Sequence, residues 1–165
     1  TIFNILGPLT NPAEVKFHLI GAYDVNLLQP MAQTLQQLGS KRAWIVHGND
    51  GTDEISISGP TTIVQLNNEK IETFKISPSD VGLPTHPISS IIGGTPEKNA
   101  LALKSLLKGE ISPYRDAVLL NSSAALLIAD KVKTLKEGVK LAAESLDSGA
   151  TQETLEILSK ITKNK

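Results

Sequence analysis

Arg42-Ala43-Trp44-Ile45-Val46, running directly into His47-Gly48-Asn49-Asp50-Gly51-Thr52-Asp53-Glu54, is the stretch on which the fold turns. Its first five residues give a strong strand signal. Glycines and turn formers follow at once and let the backbone bend sharply. Upstream, Phe17-His18-Leu19-Ile20-Gly21-Ala22-Tyr23 reads as a second strand. Asp24 or Asn26 caps a helix that runs to about Leu38. Pro30 is tolerable only in the first turn of that helix, and Gly39 stops it. Strand, helix and strand make one βαβ unit, hence a parallel pair with a right-handed crossover. Acidic residues at the mouth of such a strand face the side of an α/β sheet where ligands usually bind.

Downstream the pattern changes. Glu54 to Ser58, Thr61 to Leu66 and Ile71 to Ile76 read as three short strands, with turns at Gly59-Pro60 and Asn67-Asn68, an antiparallel meander. Ser77 to Thr95 is rich in Pro, Gly and Ser and reads as a long connection. Four helices follow. Thr95-Pro96 starts the first and Gly109 ends it. Ser112-Pro113 starts the second, whose apolar run from Ala117 to Ala129 predicts burial on most sides. Thr134 and Glu137 form a capping box for the third, which stops at Gly149. Thr151 opens the last, striped by Leu155, Leu158 and Ile161. At the other end, Ile2 to Pro12 reads as a short helical or irregular segment with turns at Gly7-Pro8 and Asn11-Pro12. The fold class is α/β: a mixed sheet with covering helices.

The 165 residues have the length of one domain with room for a core. Hydrophobic residues make up 40% and charged ones 20%, which excludes a disordered chain. The net charge of -1 argues against a broad nucleic-acid or anionic-membrane surface. The lack of cysteine removes disulfides, thiolate metal sites and a thiol nucleophile, and fits a reducing cytosol. No apolar run is long enough to span a bilayer, and none reads as a signal peptide. The start at Thr1, with an apolar run behind it, looks like the middle of a longer protein.

Asp53 and Glu54 are the leading functional candidates. Neighbouring carboxylates supply hard oxygen ligands of the kind that hold Mg²⁺ on a phosphorylated substrate. From spacing alone a solvated loop pair is the more ordinary reading, since acidic loops are common, and consecutive extended residues point in opposite directions. Sharing one cation requires a bend near Gly51-Thr52 or a bridging water. Gly7-Pro8-Leu9-Thr10-Asn11-Pro12 is a rigid, donor-poor segment in which Gly7 allows close approach to a flat ligand, or else a plain connector. His47 reads as a packed strand-end residue, and the three histidines lack metal-ligand spacing. Gly93-Gly94 lacks the spacing of a P-loop or dinucleotide fingerprint and reads as a loop. Ser122-Ser123 reads as helix serines bonded to backbone carbonyls. No nucleophile–base–orienter triad can be assembled.

Taken together, several segments resemble the anthranilate phosphoribosyltransferase family. They are Thr1-Ile2-Phe3-Asn4-Ile5-Leu6-Gly7-Pro8-Leu9-Thr10-Asn11-Pro12, His47-Gly48 through Asp53-Glu54, and Gly93-Gly94 with Asn99-Ala100. Tyr114-Arg115-Asp116-Ala117-Val118-Leu119-Leu120-Asn121 and Asp147-Ser148-Gly149 extend the match over essentially the whole chain. Ala150 departs from the lysine the family often has there. The resemblance implies a mainly parallel sheet, part of a nucleoside phosphorylase/phosphoribosyltransferase-type large domain, of which residues 1–165 are the C-terminal portion. The helical domain, the glycine-rich G-T-G-G-D loop, the K-H-G-N segment and an upstream arginine are not in this sequence. It implies Mg²⁺ at Asp53 and Glu54, anthranilate beside Gly7 and Pro8, and a cytoplasmic homodimer in the complete protein. The implied reaction is transfer of phosphoribose from 5-phosphoribosyl-1-pyrophosphate to anthranilate, in tryptophan biosynthesis. This polypeptide alone is expected to be inactive. A pyrimidine nucleoside phosphorylase, a paralogous transferase with another amine, and a non-catalytic binding or assembly module are the competing readings.

Overall fold

The computed structural model describes residues 3–163, so Thr1 and Ile2 of the first motif lie outside the described residues. Four strands form one sheet in the order β1-β2-β3-β4. They are β1 (Phe17–Gly21), β2 (Arg42–Gly48), β3 (Thr61–Asn67) and β4 (Lys70–Ile76). β1 and β2 are parallel, with Leu19 opposite Trp44. The β2–β3 and β3–β4 pairs are antiparallel. The sheet is therefore mixed, as expected. The expectation of mainly parallel pairing does not hold within these four strands: β3 and β4 are joined by the tight Asn68-Glu69 turn, and the loop after β2 folds back at Gly48 and returns the chain antiparallel.

The all-apolar run in β2 has a direct cause. Ala43 and Ile45 face helix α2 (Leu28–Gln37), meeting Leu28, Met31, Ala32 and Leu35 in one core. Trp44 and Val46 face the opposite layer and meet Leu120, Ala124 and Ile128 of α4 (Pro113–Ile128) in a second. A strand covered on both faces has no solvent side and loses its polar alternation. Each fully buried leucine or isoleucine in these layers contributes about 1.5–3 kcal/mol. Trp44 also donates its indole N–H to Gln65 Oε1 at 2.8 Å and meets Phe74 edge-on, with centroids 5.4 Å apart. The crossover opens with a single 3-10 turn, Val25–Leu27, capped by Asp24, and Pro30 falls in the first turn of α2.

The remaining helices are α1 (Phe3–Leu9), α3 (Pro96–Leu107), α5 (Leu135–Asp147) and α6 (Ala150–Lys163). Thr95, Ser112 and Thr134 each accept a backbone N–H three residues on, which sets the starts of α3, α4 and α5. The box expected at Thr134 is displaced by one residue: Glu137 takes the N–H of Lys133 instead of that of Thr134. Arg115, buried at the start of α4, donates to Asp147 at 2.8 Å and ties α4 to the end of α5. The α6 stripe is present in the sequence but covered by nothing described: Leu155, Leu158 and Ile161 are 38%, 55% and 61% exposed. Among the described residues no helix is long and apolar enough to cross a membrane.

Two further sequence expectations fail. Glu54 to Ser58 is not a strand but a run of bends and coil. Its backbone is satisfied by side chains: Ile55 N–H bonds to Asn121 and Ser56 N–H to Thr61 Oγ1. Gly7-Pro8 is not a turn but lies inside α1. Pro8 falls near the end of that short helix, and Thr10 closes it by donating Oγ1–H to Leu6 O and N–H to Gly7 O.

Candidate functional site

The site begins where β2 stops. A Cβ on Gly48 would meet Asp50 Oδ1 and Thr52 Oγ1, each at 2.5 Å, so a larger residue here would push these loop side chains out of place. Gly51 then takes φ +88°, the left-handed region. Asp50 organises the loop. Its Oδ1 accepts from Thr52 N–H and Thr52 Oγ1–H, and its Oδ2 accepts from Ser56 Oγ–H at 2.6 Å and from Ser58 Oγ–H. Partial burial pushes this carboxyl upward, but the hydrogen bonds from Ser56, Ser58 and Thr52 outweigh it and bring the pKa down to about 2.

Asp53 and Glu54 follow, in a bend and exposed to solvent. The Asp53 backbone lies directly on the end of β1: a Cβ on Gly21 would sit 1.5 Å from Asp53 O. Both residues line one open cleft of about 530 Å³, walled by Ile88, Ile91 and Ile92 on one side and by Tyr114 and Asn121 of α4 on the other. The bend does what an extended run could not and brings both residues to one cleft. Neither carboxylate has a hydrogen bond or ion pair to another described residue, and no third acidic or histidine group joins them. Two unengaged carboxylates fit Mg²⁺, which keeps several waters and takes its other oxygens from a substrate phosphate.

Two residues that sequence reasoning did not single out hold this loop. Asp50 is one, and the Asp-Gly-Thr turn with Ser56 and Ser58 was its visible signal. The other is Asn121, a lone amide in an apolar helix, 66 residues from its partner. Its Oδ1 accepts Ile55 N–H at 3.0 Å, and its Nδ2 donates to Ile55 O at 3.0 Å and to Ala117 O at 3.1 Å.

The other candidates separate. Gly7 and Pro8 do not line this cleft, and beyond its chain neighbours and its own helix backbone nothing described lies within 4 Å of a Cβ built on Gly7. His47 donates Nδ1–H to Ala22 O at 2.8 Å and fastens β2 to the chain leaving β1, a structural role. His86 bonds Asp116 at 2.7 Å, and its backbone N–H reaches Ile57 O, so it anchors the wall of the cleft. Gly93-Gly94 is a loop held by Asn99, which accepts Gly94 N–H at 2.8 Å. Ser123 donates to Leu120 O at 2.7 Å. No hydroxyl–imidazole–carboxylate chain forms among the described residues.

The family model described as "Glycosyl transferase family, a/b domain" matches residues 1–152. Among curated proteins, the anthranilate phosphoribosyltransferase of Rhodopseudomonas palustris (strain HaA2) is 53% identical over 158 residues, covering 96% of this chain and 47% of the relative. Among solved structures, the anthranilate phosphoribosyltransferase of Thermus thermophilus superposes with a TM-score of 0.84 at 41% identity, over 94% of this chain and 46% of that one. The Saccharomyces cerevisiae enzyme in complex with PRPP and Mg superposes with a TM-score of 0.85 at 32% identity, over 94% of this chain and 45% of that one. The chain thus spans about half the length of the relatives it matches.

Proposed function

The chain belongs to the glycosyl transferase family through its a/b domain, and on that footing we propose that it forms the cation-binding wall of an anthranilate phosphoribosyltransferase. The complete protein joins anthranilate to 5-phosphoribosyl-1-pyrophosphate, giving N-(5-phosphoribosyl)anthranilate and pyrophosphate, a step of tryptophan biosynthesis. The observation that carries this reading is the pair of unengaged carboxylates, Asp53 and Glu54, at one cleft beyond the parallel strands. The relatives' names support the substrates.

Asp53 and Glu54 would hold Mg²⁺, which when bound neutralises charge on the departing pyrophosphate. The rest of the chemistry asks little of a protein nucleophile. As the bond to pyrophosphate lengthens, ribose C1 gains cationic character, and the attacking amine needs to be placed beside C1 more than it needs to be activated. The chain's own contribution is to fix two carboxylates in space through Asp50, Gly21 and Asn121. Gly7 and Pro8 are proposed to line the anthranilate pocket in the complete protein, on the strength of the motif resemblance alone. The homodimer and the cytoplasmic location rest on the same resemblance. The 165 residues by themselves bring the carboxylates but no glycine-rich phosphate loop, so alone they carry out no transfer.

The test is an initial-rate titration of Mg²⁺ on the complete protein carrying Asp53→Asn together with Glu54→Gln. Turnover should fall by about 10²-fold or more, because charge stabilisation of a leaving group is lost. An unchanged Mg²⁺ titration removes the metal role. Phosphorolysis of a pyrimidine nucleoside in place of anthranilate transfer replaces the transferase reading with a phosphorylase.

A further inference from the structure

If Asp53 and Glu54 receive a cation, something must fix where they point, and neither side chain is fixed by a partner of its own. The restraint comes from the two peptide planes that flank Glu54. The first contains Asp53 C=O, which lies so close to Gly21 that a Cβ there would come within 1.5 Å. The second contains Ile55 N–H, which Asn121 Oδ1 accepts at 3.0 Å. Peptide units are planar, so holding both planes sets the backbone dihedrals of Glu54 and the direction of its Cβ.

We propose that Asn121 is a positioning residue for Glu54: through the Ile55 backbone its carboxamide sets the direction in which the Glu54 carboxylate enters the cleft. This rests on the cation reading given above. The amide grips Ile55 both ways, accepting its N–H and donating to its C=O, so the segment cannot rotate about a single bond. The remaining donor of Asn121 goes to Ala117 O, which locks the side chain to its own helix. Both N–H donors are spent, which leaves the amide little to offer a substrate although it lines the cleft. The anchor itself is rigid: Leu120 is fully buried beside Asn121, and Ile55 is 2% exposed in the same core.

A merely structural Asn121 would affect stability alone, and a double-mutant cycle separates the two roles. In the complete protein, Mg²⁺-dependent initial rates and thermal midpoints are measured for Asn121→Asp, Asn121→Leu, Glu54→Gln, Asn121→Asp with Glu54→Gln, and Leu119→Ala. Leu119 lies in a different core from Ile55, so its variant reports loss of stability without loss of aim. Asn121→Asp keeps an acceptor for Ile55 N–H but loses both donors, and it carries the test if Asn121→Leu does not fold. The expected result is a rise in half-saturating Mg²⁺ of about tenfold, with a kcat loss on the order of ten- to a hundredfold and an almost unchanged KM for the amine. Added to Glu54→Gln, the Asn121 change should give no further loss, because its effect runs through that carboxylate. Leu119→Ala should lower the thermal midpoint and leave the Mg²⁺ response alone. An Asn121→Asp protein whose half-saturating Mg²⁺ stays within about twofold of the parent, while Glu54→Gln shifts it, overturns the inference and leaves the cation reading standing. If Glu54→Gln and the Asp53 and Glu54 double variant also leave the response unmoved, both fall together.

Discussion

The loop from Gly48 to Ser58 and the segment around Gly7 and Pro8 carry the two halves of the proposed site, and they are built in opposite ways. Around Asp53 the packing is tight on the side of β1 and β2, although Gly51 faces open space. Gly21 and Gly48 have no room for a methyl group, Asp50 gathers the hydroxyls of Thr52, Ser56 and Ser58, and Ile55 and Ile57 are buried. Around Gly7 there is open space, with Phe3 75% and Leu6 44% exposed on the same helix. This chain makes the first half by itself. It offers the second half an exposed Gly7 and a half-buried Pro8. The proposed cation geometry can therefore be broken from inside the 165 residues, whereas the proposed anthranilate contact has to be tested on binding.

Gly21→Ala should do the most damage. Its new methyl group meets the backbone of Asp53, which cannot swing aside as a flexible side-chain end would. Overpacking of this kind costs about 3 kcal/mol, and thermal unfolding should show it along with a weakened Mg²⁺ response. A near-parental midpoint would mean that the loop lies farther from β1 than described. Asp50→Asn comes next. Replacing the charged acceptor weakens several hydrogen bonds at a solvent-reached site, so a loss of about 1–2 kcal/mol in urea unfolding is expected.

The Asp50 effect carries a pH signature with a definite sign. The folded carboxyl titrates at about 2, below its ordinary 3.8, so its contribution is fully present above about pH 4. It is lost as pH falls from there through about 2, and the gap between parent and Asp50→Asn should close over that window. A gap that persists at about pH 2 would place the stabilisation in packing, not in charge.

Gly7→Ala is the smallest change and the sharpest contrast with Gly21. With space around it and a helical backbone, it should stabilise the fold by roughly 0.5–1 kcal/mol. In the complete protein the same methyl group should raise KM for anthranilate if Gly7 lines that pocket. Stabilisation with an unchanged KM would remove Gly7 from the site.

Most of the fold was legible because its signals are local. Thr95, Ser112 and Thr134 announce helix starts by the bonds their own side chains make within one turn. β2 reads as a strand because its run of apolar residues has a helical layer to meet on each face. Glu54 to Ser58 misled because Ile55 and Ile57 alternate with Ser56 and Ser58 as in a half-buried strand. Both isoleucines are indeed buried, but so is Ser56, and the hydrogen-bond partners are side chains where a strand would have a ladder. The Glu54–Ile55 peptide is held from α4, and nothing near position 55 in sequence says so. The carboxylates can be read from composition and position, and Asp50 from its turn, while Asn121, which reaches Ile55 from another element, cannot. Gly7-Pro8 misleads for the converse reason: the pair carries turn chemistry, yet a short helix with Thr10 at its end holds a proline in its last turn.

The Ile55–Asn121 bonds join positions separated by 66 residues of chain. Closing so long a circuit carries an entropy cost that only the assembled core can offset. A nascent polypeptide therefore possesses both acidic side chains well before it possesses their arrangement. On the proposed cation reading, the arrangement that would receive an ion forms only once the second helical layer docks, and it is lost when that layer loosens.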